Sequence, residues 1–271
     1  MHFGATLRLL RVDAGVSLRA LAQKIGVSSA YLSRVENGHD QAPTPDRLIA
    51  IARALDLPPT LLIDLAQRVS PFVARYLEDV PSASFLFLEI ARRKLNAAQL
   101  ARVHAFLDAE FPAWGASAAP AVPRLHELLV PERVILKLSC SYLGDAIDLA
   151  ATRLAGAAPG LHAATLAAEI RERERESPTG VGHGVAVPHA LDPALEPIAA
   201  LVTLARPLHV PTPDDVPLQV LFVIVGGGQA PLELLARAAR LATPGTVAEL
   251  CQATTPEAAL ARVRNVESEF G

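Results

Sequence analysis

Cysteine, methionine and tryptophan are scarce in this chain of 271 residues, with two, one and one copies, and aromatics make up only 4%. Cys140 and Cys251 lie far apart, outside any CxxC or Cys/His spacing, which excludes a disulfide framework and a cysteine-built zinc site. Charge of one sign is also missing. The formal net charge is -3 and the isoelectric point about 6.2, so no global basic field advertises nucleic acid, and a DNA-binding surface has to be local. The N-terminus has no extended apolar h-region, and the longest apolar run, Val220 to Val225, is too short for a bilayer. A cytoplasmic protein without membrane partners is expected.

Half of the residues, 51%, are apolar, enough for two domains with cores of their own. From Leu7 to Leu65 apolar residues recur at helical spacing in short blocks punctuated by Gly15, Gly26, Gly38 and the Pro43 to Pro45 stretch. Residues 1–68 therefore read as a bundle of about five short helices. Within "SLRALAQKIGVSSAYLSRVENG", residues 17–38, Ser17 and Ser28 are placed to cap two helices, Gly26 to turn between them, and Asn37-Gly38 to stop the second. Leu32 and Val35 face inward, leaving Ser28, Ser29, Tyr31 and Arg34 for a major groove, with Arg19 and Asn37 as further candidate DNA contacts.

These residues resemble the Xre/Cro type of helix-turn-helix, carried by "LRLLR", "LAQKIGVS", "YLSRVENG" and "LIAIARALDLPPTLL" in order. The resemblance implies binding to double-stranded DNA. With little local positive charge, one copy would bind weakly, so a homodimer reading half-sites about 34 Å apart is expected.

Residues 69–112 hold amphipathic stretches for two or three helices and much of the aromatic content, namely Phe72, Tyr76, Phe85, Phe87, Phe106 and Phe111. Either a packed helical extension or a self-association surface accounts for them. Residues 113–123, "AWGASAAPAVP", read as a linker.

From Arg124 the pattern changes to alternating strands and helices: "RVILKL", "IAALVTLARP" and "LQVLFVIVGG" as strands, "SYLGDAIDLAATRLAG", "LHAATLAAEIRERERE" and "PLELLARAARLA" as helices, then two short helices. The expected fold is thus multidomain: an all-α helix-turn-helix bundle with a helical extension, then, over 124–271, an α/β domain with a mixed sheet flanked by helices.

The most informative stretch is "SPTGVGHGVAVPHA", residues 177–190. Gly180, Gly182 and Gly184 permit positive φ and bare backbone amides, and Thr179 adds a hydroxyl, a combination suited to phosphate oxygens. Pro188 is expected to end the strand "VAV" and to project His189 from its tip. A neutral imidazole whose other nitrogen is hydrogen-bonded is a competent nucleophile near neutral pH. The loop lacks the Gly-Lys-Ser/Thr of a P-loop and the GxGxxG spacing, and His183 with His189 makes no metal cage, so neither a metal nor another cofactor is expected.

Arg173, Glu174, Thr179, Gly180, Gly182, Gly184, Ala186, Pro188 and His189 together resemble the motif of type-2 enzyme IIA domains of the phosphotransferase system, the fructose/mannitol/nitrogen type. The resemblance covers 124 to about 265 and implies that His189 accepts a phosphoryl group from the carrier HPr or a paralogue. It makes Arg173 a candidate phosphate-side cation, although Arg173 is equally readable as a solvated charge of "RERERE". The family often carries a second histidine after the last long strand; "GGGQAPLELLARA" has none, and His183 is either a substitute or a plain loop residue. Three functions stay open: a non-enzymatic regulator switched by phosphorylation of His189, a working phosphocarrier for sugar or nitrogen transport, and a binding module that keeps only the fold.

Overall fold

The computed structural model describes residues 3–66, 80–110, 123–158, 160–192, 195–226 and 231–270. Five helices open the chain: α1 (Phe3–Asp13), α2 (Leu18–Lys24), α3 (Ser29–Glu36), α4 (Pro45–Ala54) and α5 (Pro59–Leu65). Their starts are chemically marked. Ser17 Oγ accepts from the Ala20 amide and Ser28 Oγ from the Tyr31 amide, each at 3.1 Å, which satisfies an otherwise orphaned helix donor. Gly26, at φ +69°, turns the chain between α2 and α3 in a conformation a Cβ would resist. Leu21, Leu32, Val35, Leu48 and Ile51 fill the bundle interior and are buried.

Two further helices, α6 (Pro81–Arg93) and α7 (Ala97–Glu110), follow. They leave Phe85 and Phe106 exposed, at 70% and 59%, instead of burying them against the bundle. Phe72, Tyr76 and Phe111, and most of the expected linker, lie outside the described residues.

A short helix α8 (Leu125–Leu128) and a 3-10 turn (Pro131–Arg133) lead into the α/β domain, whose elements are β1 (Val134–Leu138), α9 (Leu143–Ala155), α10 (Ala163–Glu176), β2 (Gly180–Gly182), β3 (Val185–Ala186), β4 (His189–Ala190), β5 (Ile198–Leu208), β6 (Leu218–Val225), α11 (Pro231–Arg240), α12 (Pro244–Gln252) and α13 (Pro256–Phe270). The last helix has 15 residues, longer than the sequence pattern suggested. The sheet runs β1-β5-β6-β3-β2, with β4 also on β6. It is mixed: β5 and β6 are antiparallel, whereas β1 on β5 and both β3 and β4 on β6 are parallel.

Period-two alternation sends neighbouring side chains of the central strands into different cores. Ala200, Val202, Leu221 and Val223 pack with Ile147, Leu154 and Ile170 of α9 and α10. Leu201, Val220, Phe222 and Ile224 face the opposite way, toward Leu235, Val247, Leu250 and Val263 of α11 to α13. That second core is continuous with the interior of the helix-turn-helix bundle, and α11 packs on α1 and α5. The two domains therefore share one apolar body, with α1 set against α11 and β2.

Candidate phosphohistidine site

Residues 180–186 form a paired hairpin, correcting the expectation of an open glycine loop. Gly180 and Gly182 lie in β2, paired to β3, and the turn is made by Gly182, His183 and Gly184, all at positive φ. At Gly184, φ +74°, a Cβ would stand 2.7 Å from the Pro217 carbonyl oxygen, so both conformation and space demand glycine. The amide of His183 donates to Asp214 Oδ2 at 2.6 Å.

His189 also departs from expectation. Pro188 interrupts the strand without ending it, because the Pro188 carbonyl still accepts from the Ile224 amide. The chain then resumes as β4, paired in parallel with β6 at Ile224 and Val225. His189 thus sits within the sheet, and its residue is only 2% exposed. Helix α10 of its own domain packs on β4, and one further neighbour comes from the first domain. Asp13, the last residue of α1, places Oδ1 2.9 Å from His189 Nε2.

Hydrogen-bond chemistry fixes the state of the ring. His189 Nδ1 is 2.7 Å from the Val187 carbonyl oxygen, which can only accept, so Nδ1 carries a hydrogen. A carboxylate is also acceptor-only, hence the Asp13–His189 contact holds one further proton. Arg173 donates to the same Asp13 oxygen from Nε at 3.0 Å and Nη2 at 2.7 Å. Its Nη1 donates to the Ser177 carbonyl at the end of α10. Asp13 Oδ2, by contrast, is buried with no hydrogen-bond partner among the described residues, a deficit of about 1–3 kcal/mol.

Behind this pair, Glu174 accepts from both the amide and the hydroxyl of Thr179, the hydroxyl at 2.5 Å. Burial pushes the Glu174 carboxyl above its usual range, against the opposing pull of the Thr179 bonds and of the nearby His189 and Arg173 charges. Thr179 is itself buried, and its carbonyl accepts from the Val187 amide, tying the hairpin to the strand that precedes His189.

The structure brings Arg173, Glu174, Thr179 and His189 into one neighbourhood. Sequence reasoning missed Asp13, which ends a helix 176 residues earlier and carries no local mark of its role.

On the other side of the molecule's sequence-predicted chemistry, Arg19, Ser28, Ser29, Arg34 and Asn37 are exposed and Tyr31 is half-buried. Several also have structural partners. Arg34 pairs with Asp40 at 3.0 Å, Asn37 Nδ2 donates to the Ser33 carbonyl at 2.8 Å, and the Arg47 guanidinium stacks over the Tyr31 ring at 5.1 Å. Among the described residues no helix is long and apolar enough to cross a membrane.

The family model of the phosphoenolpyruvate-dependent sugar phosphotransferase system, EIIA 2, matches residues 127–266. The chain belongs to this EIIA family. A helix-turn-helix domain model matches residues 2–65, so a helix-turn-helix domain is joined to the EIIA domain in one chain. The EIIA part is similar to a nitrogen regulatory protein of Bradyrhizobium diazoefficiens, 30% identical over 134 residues, covering 48% of this chain and 87% of that protein. It is also similar to a nitrogen regulatory protein of Pseudomonas aeruginosa, 29% identical over 150 residues, covering 54% and 97%. An HTH-type transcriptional repressor of Bacillus subtilis is 36% identical over 81 residues, 30% of this chain and 54% of that repressor. Within the EIIA domain, His189 is buried and Arg173 and Glu174 are half-buried close by.

Proposed function

We propose that the protein is a DNA-binding transcription regulator whose activity is set by phosphorylation of His189. The observation that carries this reading is the hydrogen bond from the EIIA domain's histidine to Asp13 of the helix-turn-helix domain, which couples any chemistry at the imidazole to the DNA-binding body. In the reaction, the proton between Nε2 and Asp13 leaves with the Asp13 carboxylate, and the freed Nε2 lone pair bonds to phosphorus while the N–P bond of a phosphorylated carrier histidine breaks, its electron pair returning to the carrier's nitrogen. Arg173 is the phosphate-side cation. Thr179 serves it indirectly, through Glu174, and Gly180, Gly182 and Gly184 shape the hairpin that supports the histidine strand.

The partners in this reading are double-stranded DNA, an HPr-like phosphocarrier and a second copy of the chain. Arg19, Ser28, Ser29, Tyr31, Arg34 and Asn37 form the DNA-facing surface, with residues 1–68 as the reading unit and 124–271 as the receiver. DNA binding is titrated with the protein unmodified and phosphorylated at His189. A changed affinity supports the switch; equal affinities with complete labelling end it.

A further inference from the structure

We infer that α1 and an incoming phosphocarrier compete for one face of the EIIA domain, with Asp13 standing where the phosphoryl group belongs. This rests on the reading of His189 as the phosphoacceptor. Only one ring nitrogen is available for attack, because Nδ1 is committed to the Val187 carbonyl. That available nitrogen, Nε2, is the one Asp13 occupies, at hydrogen-bond distance, with no room between them for phosphorus and its oxygens. The shared proton leaves no free nitrogen lone pair facing outward while Asp13 remains.

The carboxylate reproduces the anion's other contact as well. Both Arg173 donors that a phosphoryl oxygen would claim converge on Asp13 Oδ1. A cleft lined by Asp13, Glu169, Arg173, His189, Ala190 and Leu191 opens at the ring, so a path to the site exists beside Asp13. The second Asp13 oxygen is buried without a hydrogen-bond partner among the described residues, so the docked arrangement carries an unsatisfied acceptor.

Displacement is transmitted beyond the site. Arg11, two residues before Asp13, grips Glu36 at the end of α3, so lifting Asp13 moves α1 and the candidate recognition helix together. Once transferred, the phosphoryl group carries about -1.5 to -2 charges and repels the Asp13 carboxylate. By linkage, docking of α1 lowers the equilibrium extent of phosphorylation, and phosphorylation lowers the docking equilibrium by the same factor.

The test treats the full chain with phosphoramidate, a small phosphoryl donor, and follows His189 by mass spectrometry in wild type, Asp13→Asn and Asp13→Ser. Both variants are expected to react faster, by about tenfold or more, because the charge-assisted hydrogen bond that must break before attack is gone. Equal rates, or slower variants, overturn the stand-in while leaving His189 as an acceptor. No labelling of His189 in any of the three removes the acceptor reading itself. Hydrogen exchange of the α1 amides in wild type, before and after labelling, needs no variant: faster exchange after labelling is expected, and unchanged protection refutes the displacement.

Discussion

Arg11 holds both carboxylate oxygens of Glu36, Nε to Oε1 at 2.6 Å and Nη2 to Oε2 at 2.8 Å, with both residues buried. This fork joins α1 to α3 inside the helix-turn-helix bundle, and Arg11 Nη1 also donates to the Val16 carbonyl. Removing one partner strands a buried charge. Arg11→Ala is therefore expected to destabilise the fold by about 3–5 kcal/mol, whereas Arg11→Met with Glu36→Leu, which leaves no charge behind, comes out close to wild type. Urea unfolding of the two variants measures the difference.

Glu174 makes stability depend on pH. Its folded carboxyl titrates above the usual carboxylate value because burial disfavours the ionised form. Between the unfolded and the folded value the native state binds more protons than the unfolded one, so this residue's contribution to stability falls as pH rises through that interval. Glu174→Gln removes the titration while keeping one acceptor for Thr179. The stability of the variant relative to wild type is expected to increase with pH across the window just above the normal carboxylate range. Thermal melts at several pH values read it, and a constant difference would refute it.

At Gly184 two demands coincide, a left-handed backbone and a neighbouring carbonyl 2.7 Å from any Cβ. Gly184→Ala is expected to lose about 1–3 kcal/mol from the backbone strain alone. The equivalent change at Gly245, whose Cβ would meet nothing within 4 Å, serves as the control. A comparison of denaturant midpoints decides the point.

Two residues of the candidate DNA face separate contact from scaffold. Arg19 is exposed. Arg19→Ala is expected to leave stability within about 0.5 kcal/mol of wild type. The same change weakens binding to all DNA sequences and lowers the salt slope by about 1. Ser28 caps α3, so Ser28→Ala removes about 1 kcal/mol of stability together with any base contact. Binding measured over a salt series, beside unfolding curves, distinguishes the pair.

Much of the architecture was readable because it is written locally. The serine caps at Ser17 and Ser28, the stop at Asn37-Gly38, and the apolar runs that became β5 and β6 each act over a few residues. Non-local features were not readable. Pro188 is a sound reason to end a strand, yet the chain re-enters the sheet because β6 offers a parallel partner some 35 residues downstream, at Ile224 and Val225. Burial of His189 and the role of Asp13 share that cause. Arg173 lies 160 positions from Asp13, and the docking of α1 on α11 and β2 brings them together. Of the two readings the sequence left for Arg173, phosphate-side cation or solvated helix charge, the structure places it in a half-closed ion pair, not in solvent.

The imidazole is mounted without freedom. Its own Nδ1 is tied to Val187, and the backbone on either side is fastened to β6, through the Pro188 carbonyl and through the Ala190 carbonyl to the Gly226 amide. Such a ring cannot swing outward to meet a donor. In the proposed switch the opening stroke therefore falls to α1, the imidazole serving as the fixed stator against which that arm works.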